Sequence, residues 1–362
     1  MGNRMKSIFI ILLFFSLFSC HYSKTVGSHH CDEYVDYKFP ADYREKKQSL
    51  EEMGNLQDVN DFTMDLEGNF YFLENGCRIK KFDPEMNFIA QIYPKEGEQI
   101  QLLTGQKIAV DHHGNFYVYD SEFKGLGHCY RPKIKKISSQ GKMIDFFWGG
   151  ESKFDREIKI IGELIFIPYM NILSVYDLNG IKKETIELKK GSRILNVIKK
   201  DNEENLYLLY LINQVAEMKH WNNSILLKLD KKNNVIESKV IYQDDNFFFI
   251  KAENKEEFLY FVIQKSLIKE HIPYFNYLIK KYDLQCNLMQ EWVVVNRPAG
   301  YENPEKQHIV PEFIFNSLLL KNKIYVKDHG QAYFQSGNKK YSRIFSYDLE
   351  NQKMTVLKEW LY

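Results

Sequence analysis

Apolar and polar residues alternate along this chain in a unit of four short apolar runs. The clearest unit comprises Lys107–Val110, Asn115–Tyr119, Lys133–Ile137 and Met143–Phe147. The first two runs are separated by a turn containing Gly114, and the last two by a polar turn. Apolar runs of this length, joined by such turns, predict a four-stranded antiparallel meander.

The third strand of this meander recurs along the chain and sets its period. Each copy begins with Ile or Leu, has a bulky apolar residue fourth and ends on Asp or Ser. The copies are Ile79–Asp83, Ile134–Ser138, Leu173–Asp177, Leu226–Asp230, Ile279–Asp283 and Ile344–Asp348. Their spacing of roughly 40 to 65 residues, with four strands per copy, is typical of propeller blades. We therefore predict an all-β fold, a six-bladed β-propeller of four-stranded antiparallel blades, with a two-sheet sandwich as the alternative.

Composition supports the all-β prediction and excludes one class of partner. The chain contains 26 Phe and 24 Tyr, residues that favour half-buried pleated surfaces. Leu206–Ile212 is nearly all apolar, as expected for a strand buried on both faces between blades. With 49 Lys and Arg against 48 Asp and Glu, the net charge of +1 gives no basis for a nucleic-acid partner.

The first residues form a targeting segment. Arg4 and Lys6 precede the apolar run Ile8–Phe18, which is shorter than the ~20 residues of a membrane-spanning helix. Leu17-Phe18-Ser19-Cys20 resembles the lipobox of bacterial lipoproteins. The resemblance implies acylation of Cys20, and His21 after it implies sorting to the outer membrane. An uncleaved anchor and an ordinary secretory signal are the alternatives.

These features divide the chain into three parts. Residues 1–20 are the predicted lipoprotein signal peptide, 21–58 a tether and N-terminal segment, and 59–362 the propeller. The implied location is the bacterial cell envelope, with the membrane bound through the N-terminal lipid.

Two of the units also resemble a known repeat family. Gly68–Glu74 and Gly114–Asp120 share a Gly-Asn-Phe-Tyr beginning, and each is followed by an Ile-Lys-Lys strand. These residues resemble NHL-type six-bladed β-propellers. The resemblance implies the fold, and it does not decide between binding and catalysis.

The predicted long insertions all fall at one end of the meanders. Connections between first and second strands, and between third and fourth, are short, whereas the second-to-third connections and the passages between blades hold every long insertion. These predicted loops are Tyr93–Thr104, Ser121–Pro132, Asn213–Asn223, Gln264–Phe275, Asn296–Pro311 and His329–Tyr341. Variable segments on one side of a rigid scaffold usually carry function. The aromatic and Arg residues there suit a protein or glycan ligand. The candidate binding face comprises Arg131, Trp221, Tyr274, Arg297, Tyr301, Tyr333 and Phe334.

Histidines in the same insertions suggest an alternative. One histidine occurs in each of five insertions: His128, His220, His271, His308 and His329. Converging imidazoles could hold Zn²⁺ with an open coordination position, as some NHL-like enzymes do. The alternative to a binding module without cofactor is therefore a metal-dependent lactonase- or lyase-like enzyme, and a structural role in the envelope is a third hypothesis. The sequence contains no Gly-x-Ser-x-Gly motif and no phosphate-binding loop, so we predict no catalytic residue.

Cysteines and turn residues complete the predictions. Cys77 and Cys129 fall in equivalent connections of neighbouring blades, so a disulfide between them is a candidate in an oxidising compartment. Asp65 and Asp111 lie in first-to-second turns, where we expect them to accept hydrogen bonds from their own backbone. His112 and His113 share the second of these turns and should be exposed to solvent.

Overall fold

The computed structural model describes most of the chain from residue 56 onward. The described residues are 56, 59–93, 102, 105–124, 129–148, 157–212, 223–243, 247–255, 257–269, 272–295, 306–320, 322–334 and 337–361. The predicted signal peptide and tether lie outside these residues, as does Cys20. No helix in the described part of the chain is long and apolar enough to span a membrane.

The described chain forms six antiparallel sheets, each made of four consecutive strands. We call them blades 1 to 6. The first two blades contain β1 (Val59–Met64), β2 (Phe70–Glu74), β3 (Arg78–Phe82), β4 (Phe88–Tyr93), β5 (Lys107–Val110), β6 (Phe116–Lys124), β7 (Cys129–Ile137) and β8 (Met143–Trp148). The next two contain β9 (Lys159–Ile161), β10 (Leu164–Tyr169), β11 (Ile172–Asp177), β12 (Lys182–Glu187), β13 (Ser192–Lys200), β14 (Leu206–Ile212), β15 (Asn223–Leu229) and β16 (Val235–Gln243). The last two contain β17 (Phe247–Lys255), β18 (Phe258–Lys269), β19 (Ile272–Asp283), β20 (Leu288–Val295), β21 (Lys306–Leu320), β22 (Lys323–Phe334), β23 (Gly337–Asp348) and β24 (Lys353–Leu361).

Apart from the tips of β6 and β7, these sheets belong to one compact unit, 42–122 with 131–362. The other unit is Met1–Ala41 with Phe123–Tyr130, of which the structure describes only 123–124 and 129–130. β1 begins at Val59, and the division into signal peptide, tether and propeller stays a prediction.

The first strands of the blades form a closed ring. They lie next to one another in the cyclic order β1, β5, β9, β13, β17, β21 and back to β1. This order makes the six sheets a six-bladed β-propeller, and it confirms the predicted fold class. The alternative of two stacked sheets is wrong, because the sheets face one another in succession around the ring rather than across one core.

Burial follows the position of a strand within its blade. All five residues of β2 are buried, whereas only Ile186 is buried on the outermost strand β12. A middle strand packs against a neighbouring blade on each face, which explains why Leu206–Leu211 in β14 is buried throughout. The prediction that this apolar run is a strand buried on both faces between blades is therefore confirmed.

The hydrophobic core is divided into six clusters, one between each pair of neighbouring blades. The cluster between blades 6 and 1 closes the ring by packing. Phe70 of β2 meets Tyr325 of β22 edge to face, with ring centroids 5.3 Å apart. Lys327 Nζ donates a hydrogen bond to the Val59 carbonyl oxygen at 2.6 Å across the same boundary. Side chains rather than a shared strand hold this seam together in the described chain.

Candidate functional site

The two ends of the ring differ in their connections. We call the end that carries the first-to-second and third-to-fourth turns of each blade the turn end. The opposite end, with the second-to-third connections and the passages between blades, is the insertion end. The candidate functional site is judged from the difference between these two ends.

The turn end is built from repeated Asp turns, of which the turn at Asp111 is representative. Asp111 Oδ1 accepts the backbone N–H groups of His113 at 2.9 Å and Asn115 at 2.8 Å. Its Oδ2 accepts Asn115 Nδ2 at 3.0 Å and the Tyr117 hydroxyl at 3.1 Å. Asp65 forms the same contacts with Asn69 and Tyr71. The prediction that both carboxylates serve their own turns is confirmed.

The third-to-fourth turns that begin with Asp are held by the same kind of hydrogen bonds, donated by Asn to the Asp carboxylate. Asn87 donates to Asp83 from its backbone N–H at 2.7 Å and from Nδ2 at 2.8 Å. The hydrogen bond from the Asn87 side chain holds the pKa of the Asp83 carboxyl below its ordinary value of 3.8. The pKa is also lowered at Asp177, chiefly by the hydrogen bond from Lys183, and at Asp230 and Asp348, by hydrogen bonds from Asn234 and Asn351. At Asp283 burial raises the pKa, but hydrogen bonds from Asn287 outweigh it and the pKa is lowered overall. Such carboxylates stay ionised and hydrogen-bonded within their own turns, so they are poor candidates for acid–base chemistry.

At the insertion end, the predicted loops are partly extended strands. The segment Gln264–Phe275 is the tip of the β18–β19 hairpin, in which Leu267 pairs with Tyr274 and Lys269 with Ile272. The segment His329–Tyr341 is likewise the tip of the β22–β23 hairpin, closed at Phe334 and Gly337. Reading these segments as loops is wrong, because each strand finds a hydrogen-bonding partner that sequence alone does not reveal.

The hairpins carry part of the candidate binding face. Tyr274 lies in β19, and Tyr333 and Phe334 end β22 at a hairpin tip. Arg131 lies in β7, next to the β6–β7 connection. The backbone of each of these four residues lies at the insertion end. Trp221, Arg297 and Tyr301 lie outside the described residues, so the face as a whole stays a prediction.

The five insertion histidines are only partly described. His308 pairs with Tyr333, whereas His329 pairs with Phe313, so the two histidines are offset along blade 6. His128, His220 and His271 lie outside the described residues. The prediction of Zn²⁺ at this end, and of an enzyme that uses it, therefore stays a prediction.

The candidate disulfide also stays a prediction. Cys77 precedes β3 and Cys129 begins β7, so each lies at the insertion end of its own blade. Cys286 lies in a turn at the other end, is 1% exposed and is a free thiol among the described residues. Burial raises the pKa of its thiol to about 12, which makes it unreactive in the folded state.

Two buried ion pairs at equivalent positions were missed by the sequence interpretation. Lys80 Nζ donates to Glu74 Oε1 at 3.0 Å in blade 1, with both side chains fully buried. Lys135 Nζ lies 2.6 Å from Asp120 Oδ2 in blade 2. The signal was present, because Glu74 and Asp120 end the two matching Gly-Asn-Phe-Tyr segments. Each pair compensates charges between the blades and so serves the scaffold rather than a reaction.

Charged groups also connect the first strands around the ring. Asp61 of β1 accepts the backbone N–H of Ile108 in β5 at 3.0 Å. Lys159 of β9 forms an ion pair with Glu253 of β17 at 2.7 Å, reaching past the intervening blade. These contacts join the innermost strands of separate blades. They give the scaffold the rigidity on which a binding surface depends.

Comparisons with known proteins assign this chain to no family. No protein-family model matches the chain, and no curated protein matches it. One similar solved structure is a Bacteroides caccae protein of unknown function, with 10% identity, a TM-score of 0.44, and coverage of 66% of this chain and 81% of that one. Another is PorZ, a surface component of the type-IX secretion system of Porphyromonas gingivalis, with 11% identity, a TM-score of 0.43, and coverage of 83% and 38%. A third is the Neurospora crassa Pan2 WD40 domain, with 12% identity, a TM-score of 0.45, and coverage of 83% and 78%. Similarities this low carry no argument about function.

Proposed function

We propose that this protein is a lipid-anchored binding module of the bacterial envelope that contacts a protein or glycan through the insertion end of its propeller. The fold suits a binding or scaffold role, because a closed ring of blades presents two rigid ends. The finer assignment rests on the difference between those ends.

The observation that supports the insertion end is the extension of its hairpins. Lys265 is the last residue of β18 that pairs with β17, yet β18 continues to Lys269. At the turn end, by contrast, short turns use their polar groups internally. An extended hairpin offers backbone and side chains beyond the sheet that supports it. A surface of this kind, with Tyr and Phe at its tips, is typical of protein and carbohydrate recognition.

Variants at one hairpin tip test the proposal. We expect Tyr333→Ala combined with Phe334→Ala to weaken binding of the purified chain to isolated envelopes of the producing bacterium by about tenfold or more, as for aromatic anchors. The matched control is Leu66→Ala, because Leu66 is an apolar residue at the turn end with 82% of its surface exposed. Binding is measured by sedimentation with labelled protein, and thermal unfolding verifies that all variants fold.

The outcome distinguishes the two ends and the two ligand classes. Equal binding by the tip variant and the unsubstituted protein, or an equal loss in Leu66→Ala, would contradict the assignment to the insertion end. Envelopes treated with protease retain a glycan ligand and lose a protein ligand, so the same measurement separates the two classes.

A further inference from the structure

Three metal-ligating side chains from two blades meet at the turn end. His112 and His113 lie in the β5–β6 turn of blade 2, and Glu163 lies in the β9–β10 turn of blade 3. His112 Nε2 is 3.2 Å from Glu163 Oε1, and one ligand atom from each residue lies within 4.8 Å of the other two. Glu163 is distant from the two histidines along the chain, so no sequence pattern indicates this cluster.

The backbone around the three residues is fixed by short-range structure. The N–H of His113 is held by Asp111 Oδ1 at 2.9 Å, and Gly114 closes the turn with φ of +78°. Glu163 occupies a two-residue hairpin turn between the paired residues Ile161 and Leu164. Gly162 precedes it with φ of +57°, as a type II′ turn requires. The backbone positions of the three residues are therefore set by hydrogen bonds within their own turns.

The turn does not itself require histidine. Blade 1 forms the same turn with Leu66 and Glu67 at the equivalent positions, and Asp65 makes the same hydrogen bonds to Glu67 and Asn69. Blade 4 forms it with Asn202 and Glu203 after Asp201. The two imidazoles of blade 2 are therefore available for another role.

We propose that His112, His113 and Glu163 bind a divalent transition-metal ion of the Zn²⁺ class between blades 2 and 3. Zn²⁺ prefers imidazole nitrogen and carboxylate oxygen, and its bond lengths of about 2.0 to 2.2 Å place neighbouring ligand atoms about 3.3 to 3.6 Å apart in a tetrahedron. The 3.2 Å between His112 Nε2 and Glu163 Oε1 is already close to that distance. All three side chains are exposed, so small rotamer changes bring the third ligand in, and water takes the fourth position. The bound ion links two blades.

Zinc titration of the full chain tests the site. Metal-free protein is titrated with ZnCl₂ by calorimetry in a non-coordinating buffer, as the unsubstituted chain and as His112→Asn and Glu163→Gln. Histidines elsewhere bind zinc too, so the decisive quantity is the difference between chains. We expect each variant to lose one zinc equivalent or to bind it at least about tenfold more weakly, since one of three protein ligands is gone. We also expect zinc to raise the thermal unfolding temperature by less in each variant, because a ligand of the folded state stabilises it.

The matched control is Glu67→Gln, which removes a carboxylate from the equivalent turn of blade 1. Unchanged zinc stoichiometry and affinity in both His112→Asn and Glu163→Gln would overturn the proposal, as would an equal loss in Glu67→Gln. The site lies at the opposite end from the proposed binding face, so neither result bears on that face.

Discussion

A single left-handed residue closes each first-to-second Asp turn, and its side chain affects stability. Gly68 and Gly114 occupy this position in blades 1 and 2 with φ of +96° and +78°. Glu204 occupies it in blade 4 with φ of +68°. A left-handed backbone costs a residue with a Cβ roughly 1 kcal/mol, and glycine avoids that cost. The same turn therefore has different strain in different blades.

A reciprocal pair of substitutions measures this strain. We expect Glu204→Gly to raise the free energy of unfolding by about 0.5 to 1 kcal/mol, because the exposed Lys200–Glu204 ion pair that it removes contributes little. We expect Gly68→Ala to lower it by more than about 1 kcal/mol, because its φ is left-handed and its new Cβ would lie 3.0 Å from Leu320 Cδ2. Urea unfolding at neutral pH gives both values. A loss of stability in Glu204→Gly would refute the strain argument.

At this scale the sequence predicted contacts within a turn and missed contacts between strands. The hydrogen bonds of Asp65 and Asp111 follow from local chain geometry. The Glu74–Lys80 pair requires the register that sets Phe72 opposite Lys80, and its burial requires the next blade. Those are properties of the assembled ring, so the matching positions of Glu74 and Asp120 in the sequence do not by themselves reveal the pairing.

At the scale of elements, the Asp turns respond to pH as a group. Burial raises the pKa of Asp201, but hydrogen bonds from the side chain and backbone of Asn205 and from Tyr207 outweigh it, so the pKa is lowered overall. The exposed turns at Asp83 and Asp230 have lowered pKa values as well. A carboxyl whose folded-state pKa lies below its unfolded value of 3.8 stabilises the fold above that pH. This contribution is lost as the pH falls through the folded-state pKa.

We therefore expect the free energy of unfolding to fall as the pH drops from about 4 through the lowered folded-state pKa values, and to fall less in Asp201→Asn. The amide cannot ionise, so the variant is less stable than the parent at pH 6 and similar to it at low pH. Urea unfolding across this range measures the effect. The control is Glu184→Gln, which removes a carboxylate from the exposed strand β12. A pH profile of Asp201→Asn parallel to that of the parent would contradict the account.

The sequence located the turns better than the ends of the strands. The third strands end where their Asp and Ser residues predicted, since those residues form the turns that stop them. The β18–β19 tip contains Pro273, which breaks the strand pattern in the sequence yet pairs with Ile268. Proline is tolerated at the border of a sheet, so the presence of a partner, and not composition, extends the hairpin.

For the whole molecule, the sequence predicted the number of blades but not the closure of the ring. The repeated third strand fixes six copies, and their meander order follows from short connections. The seam between blades 6 and 1 joins residues such as Lys327 and Val59, which lie at opposite ends of the propeller sequence. Contacts over such a separation leave no periodic signal.

Attachment of the whole molecule to a membrane is a prediction from its first residues. We expect the chain to incorporate a radiolabelled fatty acid and to sediment with membranes, and Cys20→Ala to do neither, because the thiol of Cys20 is the expected acylation site. The variant should still bind envelopes in solution through the insertion end. Equal labelling of Cys20→Ala and the parent would show that the anchor, if any, is elsewhere.

The four strands of each blade follow one another directly in the chain, and this affects how the gene can change. Each sheet consists of four consecutive strands, so one uninterrupted coding segment specifies one whole blade. Duplication or loss of such a segment adds or removes a complete blade. It leaves every strand of the other blades with its hydrogen-bonding partners. The long β18–β19 and β22–β23 hairpins show that one blade can carry a longer connection while its four strands keep their order.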